Sequence, residues 1–235
     1  MLLEVIATTL GDAVTAERGG ADRIELITGI LEGGLTPSLA LIEKVREAVS
    51  IPVRVMVRPH ARSFQYDAGD LEVMKRDIEH ISSVGGLGVV LGVLDSHGEV
   101  DEVMLNLLLD AAAGLEVTFH RAIDEVHDQG KALTILSRYP QITDVLTSGG
   151  CRTAPEGADR LAELNSLAAG SSISILAGAG LNADALESFL RQTGISRVHF
   201  GSAVRVDGDP LKPVDLEKVR EIRRILDHST RREKK

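Results

Sequence analysis

Cysteine is almost absent from this chain: Cys151 is the only one in 235 residues. One thiol cannot close an intramolecular disulfide, so nothing in the fold depends on an oxidising compartment. A basic excess is missing as well. Asp and Glu number 35 against 26 Lys and Arg, a formal net charge of -9. DNA- and RNA-binding chains cluster Lys and Arg instead, so nucleic acid is not an expected partner. No stretch reaches the roughly 18 apolar residues that argue for a membrane span. The segment Met1 to Ala7, with Glu4 inside it, lacks the basic start and longer apolar run of a secretory leader. The expectation is a cytoplasmic chain with no membrane partner. The one basic run, Arg231-Arg232-Glu233-Lys234-Lys235, follows Ser229-Thr230 and reads as a charged C-terminal tail over 229–235, leaving 1–228 as a single domain.

Linkers and low-complexity tracts are also lacking, and no glycine-rich phosphate turn follows the first apolar run, which counts against an open doubly wound sheet. What is present is an alternation of short Val/Ile/Leu-rich runs with longer amphipathic segments, the pattern of buried parallel strands and their covering helices. Strands are predicted at 2–7, 23–27, 53–57, 88–92, 115–119, 143–147, 173–177 and 197–200, each followed by a helical pattern. Eight evenly spaced units in a chain close to the roughly 250 residues typical of the fold predict an α/β protein of the parallel, eight-stranded (β/α)8 TIM-barrel type. Thr36 with Pro37, Thr153 with Glu156, and Asn182 are predicted to cap helix starts, the last for a helix over 183–192. Gly19-Gly20 and Gly85-Gly86 are predicted to stop helices.

In such a barrel the strand ends and the loops that follow them build the site, so polar residues there are the informative ones. Glu4 and Glu25 sit inside the first two strands, and alternation points both inward. A carboxylate in a barrel interior is costly unless paired, hydrogen-bonded or protonated. Arg23, Arg54 and Arg58 are its natural partners, and a structural salt-bridge layer competes with a functional pair as the explanation. After the third strand comes Arg58-Pro59-His60. After the fifth comes His120-Arg121-Ala122-Ile123-Asp124, which offers a proton carrier, an anion-binding fork and a carboxylate to one pocket. Ser148-Gly149, Gly178, Gly180, and Gly201-Ser202 end later strands. The last four form a candidate anion cradle in the position where barrels commonly bind phosphate.

Other chemistries lack their residues. The lysines fall in predicted helices, helix-flanking loops or the tail, which counts against a Schiff-base aldolase. A divalent metal would have to draw on His60, His120, His199, Glu4, Glu25 and Asp124, which come from separate strands and loops, so no metal ligand is assigned from the sequence. Cys151 reads as a packed small residue more readily than as a nucleophile.

Taken together, Leu3-Glu4-Val5, Gly20 to Leu26, Glu32 to Ser38, Arg58-Pro59, Thr118 to Ala122 and Leu146 to Gly150 resemble the hallmark segments of the CutC family of copper homeostasis proteins, over a region reaching about Ser202. The resemblance implies a βα barrel, a cytoplasmic location, homodimers or higher homo-oligomers, and a role in copper handling. Copper enters as a cofactor through the resemblance only. The family's copper binding has been attributed to cysteines at the ends of the first two strands, and here those positions are Ile6 and Ile27. Isoleucine offers no lone pair to a soft ion, so the resemblance does not extend to that copper site. The alternative reading is an enzyme acting on a small anionic metabolite, phosphorylated or carboxylated. In it His120 is the acid/base, oriented by Asp124 or Glu25, with Arg58 and Arg121 holding the anion and Glu4, His60 and the glycine loops around it.

Overall fold

The structure, a computed structural model, describes residues 1–233, with side chains described through Thr230. Its eight strands are β1 (Leu2–Ala7), β2 (Arg23–Leu26), β3 (Val53–Met56), β4 (Leu87–Leu91), β5 (Val117–Phe119), β6 (Ile142–Thr147), β7 (Ser174–Ala177) and β8 (Arg197–Phe200). They pair in parallel in chain order and close β8 onto β1. Around them run α1 (Leu10–Gly19), α2 (Leu39–Ala48), α3 (Ala68–Val84), α4 (Glu102–Ala111), α5 (Gln129–Leu136), α6 (Ala158–Ala168), α7 (Ala183–Thr193) and α8 (Leu216–Glu233). This is the predicted (β/α)8 barrel. The helix α8 takes in Ser229 and Thr230, whose hydroxyls donate to the carbonyls of Ile225 and Leu226, so the helix runs into the segment expected to be a tail. Lys234 and Lys235 lie outside the described residues.

Period-two alternation sorts each strand into an outer and an inner face. Outward residues such as Leu3, Val5, Ile24, Leu26, Val53, Val55, Val89 and Leu91 join the large core shared with the helices. Each contributes on the order of 1.5–3 kcal/mol by leaving water. Inside the barrel, Ile27, Met56 and Val90 form a separate apolar layer, with Ile6 and Ile30 packed against it. Below that layer the interior is ionic. Asp144 accepts from Arg23 and Arg197 at 3.0 and 2.7 Å and forms an ion pair with Arg54 at 3.1 Å, and Arg54 donates to Thr118, Thr143 and Glu116. The seam between the ends of the chain is held by Arg205, which is fully buried. It donates to Asp12 (3.2 Å), the Lys212 carbonyl (2.7 Å) and the Ile6 carbonyl (3.3 Å).

Two predicted caps differ from those observed. The helix α2 is capped by Ser38, which accepts from the Leu41 N–H, because Thr36 uses its hydroxyl to accept from the Arg58 N–H at the end of β3. The helix α6 begins at Ala158, capped by Gly157; Thr153 accepts from the Glu156 N–H within the preceding turn. Asn182 caps α7 as predicted, accepting from the Ala185 N–H. Gly20 closes α1 in the left-handed region at φ 98°.

Candidate functional site

At the C-terminal ends of the strands lies a cavity of about 390 Å³. Its walls include Ile6, Ile27, Met56 and Leu146; its polar lining comes from Glu25, Arg58, His120, Arg121, His199 and Ser202. The size falls near the lower end of the roughly 300–1,000 Å³ range of small-molecule sites.

The floor is a buried trio. Glu4 and His199 are register partners across the β1–β8 closure, and His199 Nδ1 lies 2.8 Å from Glu4 Oε1. The other Glu4 oxygen accepts from Arg23 Nε. Glu25 stands beside them, its Oε2 3.8 Å from His199 Nε2 and its Oε1 without a partner among the described residues. The two carboxylates therefore differ. Burial by itself would push Glu4 up, but the charge of Arg23, the hydrogen bond from His199 and the charge of Arg54 hold it down at about 2. Burial pushes Glu25 up to about 7: His199 and Arg23 favour its charge, but Glu4 opposes it. His199 is raised: the pull of Glu25 and Glu4 outweighs the burial that would lower it.

The rest of the polar lining comes from the ends of β3, which adjoins β2, and of β5. Arg58, 7% exposed, donates Nη1 to the carbonyls of Glu32 and Gly34 at 2.8 and 3.0 Å, sits 4.8 Å from the centre of the Phe64 ring, and leaves Nε without a partner among the described residues. His120, 3% exposed, accepts at Nδ1 from the Ala122 N–H (3.2 Å), which places its proton on Nε2, and Nε2 has no partner among the described residues. Burial, helped by the Arg58 charge, pushes this imidazole down to about 3, so it is neutral at physiological pH. Room for the ring comes from Gly92 after β4, where a Cβ would collide with His120 Nδ1. Phe64 packs 4.7 Å from the same ring.

Of the other residues singled out in the sequence, Gly180, Gly201 and Ser202 line the cavity. Asp124 does not, and it does not orient His120. It accepts from Arg121, Gln129, Thr147, Ser148 and Gly150 and so ties the β5 loop to the β6 loop. Ser148 donates to the Cys151 carbonyl and accepts from Arg121, while Gly149 packs on Gly157 and Leu161. Gly178 lets Leu146 and His199 close in beneath the cavity. His60 turns away to Asp70, 3.0 Å distant. Arg121, 42% exposed, holds Asp124 with Nε and Ser148 with Nη2, and its Nη1 has no partner among the described residues. Sequence reasoning named His199 only among metal donors; its register with Glu4 shows only once the barrel closes. It also passed over Ala179, a lining residue at φ 74°, where a non-glycine residue bears backbone strain.

The family profile described as the CutC family matches residues 1–204, which carry all eight strands. The chain belongs to the CutC family. A CutC family protein of Xanthomonas axonopodis pv. citri is 43% identical over 199 residues, spanning 85% of this chain and 82% of that one. One from Xylella fastidiosa is 38% identical over 237 residues, spanning 95% and 88%. The solved CutC of Streptococcus agalactiae, a protein assigned to copper homeostasis, superposes with a TM-score of 0.79 at 29% identity, covering 85% of this chain and 97% of that one.

Copper, which the CutC family name implies, meets a poor donor set here. Ile6 and Ile27 present hydrocarbon to the cavity, Met56 is the one lining residue that contains sulfur, and half-buried Cys151 is not among the lining residues. Soft Cu(I) prefers thiolate and thioether ligands, so these residues do not fit it. Glu4, Glu25 and His199 bring donor atoms within 4.8 Å of one another. Both Glu4 oxygens, however, are committed to Arg23 and His199. That leaves Glu25 and His199 Nε2, fewer than the three protein ligands typical of a catalytic zinc site.

Proposed function

We propose that this CutC-family protein binds a small anionic metabolite, phosphorylated or carboxylated, in the mouth of the barrel and acts on it by proton transfer, and that its part in copper homeostasis is indirect. The observation that carries this reading is that one cavity is lined by both Arg58 and Arg121 and by the buried Glu25–His199 pair. Arginines at one wall hold an anion. A carboxylate raised towards neutrality beside an oriented imidazole can take up and return a proton near pH 7. His120, as a neutral donor, stabilises developing negative charge and leaves the acid/base work to that pair. The glycine loop at Gly180 and the turn at Gly201-Ser202 flank the anion. The protein works in the cytoplasm in this reading, as a homodimer or larger homo-oligomer; no helix among the described residues is long and apolar enough to cross a membrane.

Thermal unfolding of the purified protein with inorganic phosphate, with small carboxylates and, anaerobically, with Cu(I) held by a competing chelator tests the reading. A ligand at a hundred times its Kd stabilises by about 2.7 kcal/mol. An anion is expected to raise Tm in the wild type and to do so far less in Arg121→Ala. Sub-micromolar Cu(I) binding, with no response to any anion, would overturn the proposal.

A further inference from the structure

We propose that the reaction at this site is proton abstraction from the carbon next to a carbonyl, in a small compound bearing an anionic group beside that carbonyl, with Glu25 as the base and His120 holding the carbonyl oxygen. The inference rests on the anion-binding reading above and adds to it the reaction and the substrate class.

Two polar atoms that lack partners carry the argument. His120 Nε2 and Glu25 Oε1 both belong to cavity-lining residues that are 3% and 2% exposed, and neither atom has a hydrogen-bond partner among the described residues. An unpaired buried donor or acceptor costs about 1–3 kcal/mol, so such atoms call for an explanation. They come from β5 and β2, on different sides of the barrel, and are complementary: one is an N–H donor, the other a carboxylate oxygen. A ligand that offers a carbonyl oxygen to the first and an acidic C–H to the second satisfies both. Arg58 Nε, a third unpartnered buried donor, and Arg121 then take the anionic group. The chain provides for each member. Gly92 gives the imidazole its space, and the Ala122 N–H fixes its tautomer. Glu4 holds His199, which in turn faces Glu25. Phe64 packs against both Arg58 and His120.

In the step itself the C–H bond breaks and its proton passes to Glu25 Oε1. The electron pair of that bond forms the carbon–carbon double bond, and the carbonyl pair moves onto oxygen, where the enolate accepts the His120 N–H. Return of the proton to the same carbon gives exchange or epimerisation; where that carbon bears a hydroxyl, transfer of the hydroxyl proton to the enolate oxygen and delivery of the abstracted proton to the former carbonyl carbon gives the isomeric carbonyl compound. No oxidant, reductant or cofactor enters. A neutral imidazole paired with a carboxylate base is the arrangement that triosephosphate isomerase uses for this chemistry. The low affinity of His120 for a proton and the raised value of Glu25 agree with it.

The test is proton NMR of 2-oxobutyrate and of dihydroxyacetone phosphate in D2O with the full-length protein, following the signal at the carbon beside the carbonyl. The two probes separate a carboxylate from a phosphate as the anion. For at least one of them, exchange is expected at roughly a hundred times the buffer rate or more. It should be lost in Glu25→Gln and slowed more in His120→Phe than in His120→Gln, which keeps an N–H donor, with thermal unfolding confirming that each variant folds. Binding of a probe with neither probe exchanging above the buffer rate, or exchange that survives Glu25→Gln, would overturn the proposal alone. So would binding of inorganic phosphate without binding of either probe. If neither the probes nor phosphate bind, the anion reading falls and the proposal with it.

Discussion

Nδ1 of His199 lies 2.8 Å from Oε1 of Glu4, although the two residues are 195 positions apart in sequence. They meet because closing the barrel sets β8 beside β1 with these two in register. Closure thus orients the imidazole, and it also separates two carboxylates that look alike in sequence. Glu4 is locked between His199 and Arg23, while Glu25 keeps one oxygen unpaired.

That difference predicts opposite responses to isosteric replacement. Glu4→Gln leaves the buried Arg23 short of a partner and is expected to cost about 3–5 kcal/mol at pH 8. Glu25, raised to about 7, contributes stability below its unfolded value near 4.5 that is lost as pH rises through 7. Glu25→Gln is therefore expected to be more stable than the wild type at pH 8, with the gap closing on acidification. Urea unfolding at pH 8 and pH 5 checks both variants. A Glu25→Gln protein less stable than Glu4→Gln at pH 8 would contradict the assignment.

His120 works in the other direction. Its folded value of about 3 lies below the unfolded value near 6.5, so the stability it contributes is complete above 6.5 and drains away as pH falls towards 3. Glu25 titrates over the same interval with the opposite sign, so the effect is read as a difference. Between pH 7 and pH 4 the wild type should lose more stability than His120→Gln, as measured by denaturant midpoints.

Arg121→Ala should separate binding from folding. Asp124 keeps its bonds from Thr147, Ser148, Gly150 and Gln129 without it, and half-exposed ion pairs are worth about 1 kcal/mol or less. Calorimetric titration is expected to show at least a roughly tenfold loss of anion affinity, about 1.4 kcal/mol, while Tm changes little.

Ile6 and Ile27 pack in one cluster and both line the cavity. The wild type is expected to give up Cu(I) to a competing chelator, whereas an Ile6→Cys, Ile27→Cys double variant should retain it, since two thiolates supply the soft donors that are lacking. Equal copper retention by both proteins would place the ligands elsewhere.

The barrel was legible because outward strand positions repeat Val, Ile and Leu with period two; β1 and β8 fall at the predicted residues, and the other strands differ from the predicted bounds by one or two residues at an end. Caps were less so. Thr36 is an ordinary N-cap by local sequence, but a long-range bond to Arg58 takes its hydroxyl. In the site, Arg58, His120, Arg121 and Glu25 were legible as polar residues in or just after strands. The grouping of His120 with Asp124 failed because the turn at Arg121–Asp124 carries the carboxylate to the β6 loop. The pairing of Glu4 with His199, and the space that Gly92 leaves for His120, depend on strand register, which local spacing does not carry.

The central claim is that a small anion binds between Arg58, Arg121, His120 and the Glu25–His199 pair. Heteronuclear NMR of the seven histidine rings during titration with inorganic phosphate, and then with 2-oxobutyrate, tests it most directly. The account predicts saturable shifts at His120 and His199, with His80, His97, His127 and His228 unmoved. Shifts confined to those four, or no response at His120 and His199 at millimolar ligand, would contradict it.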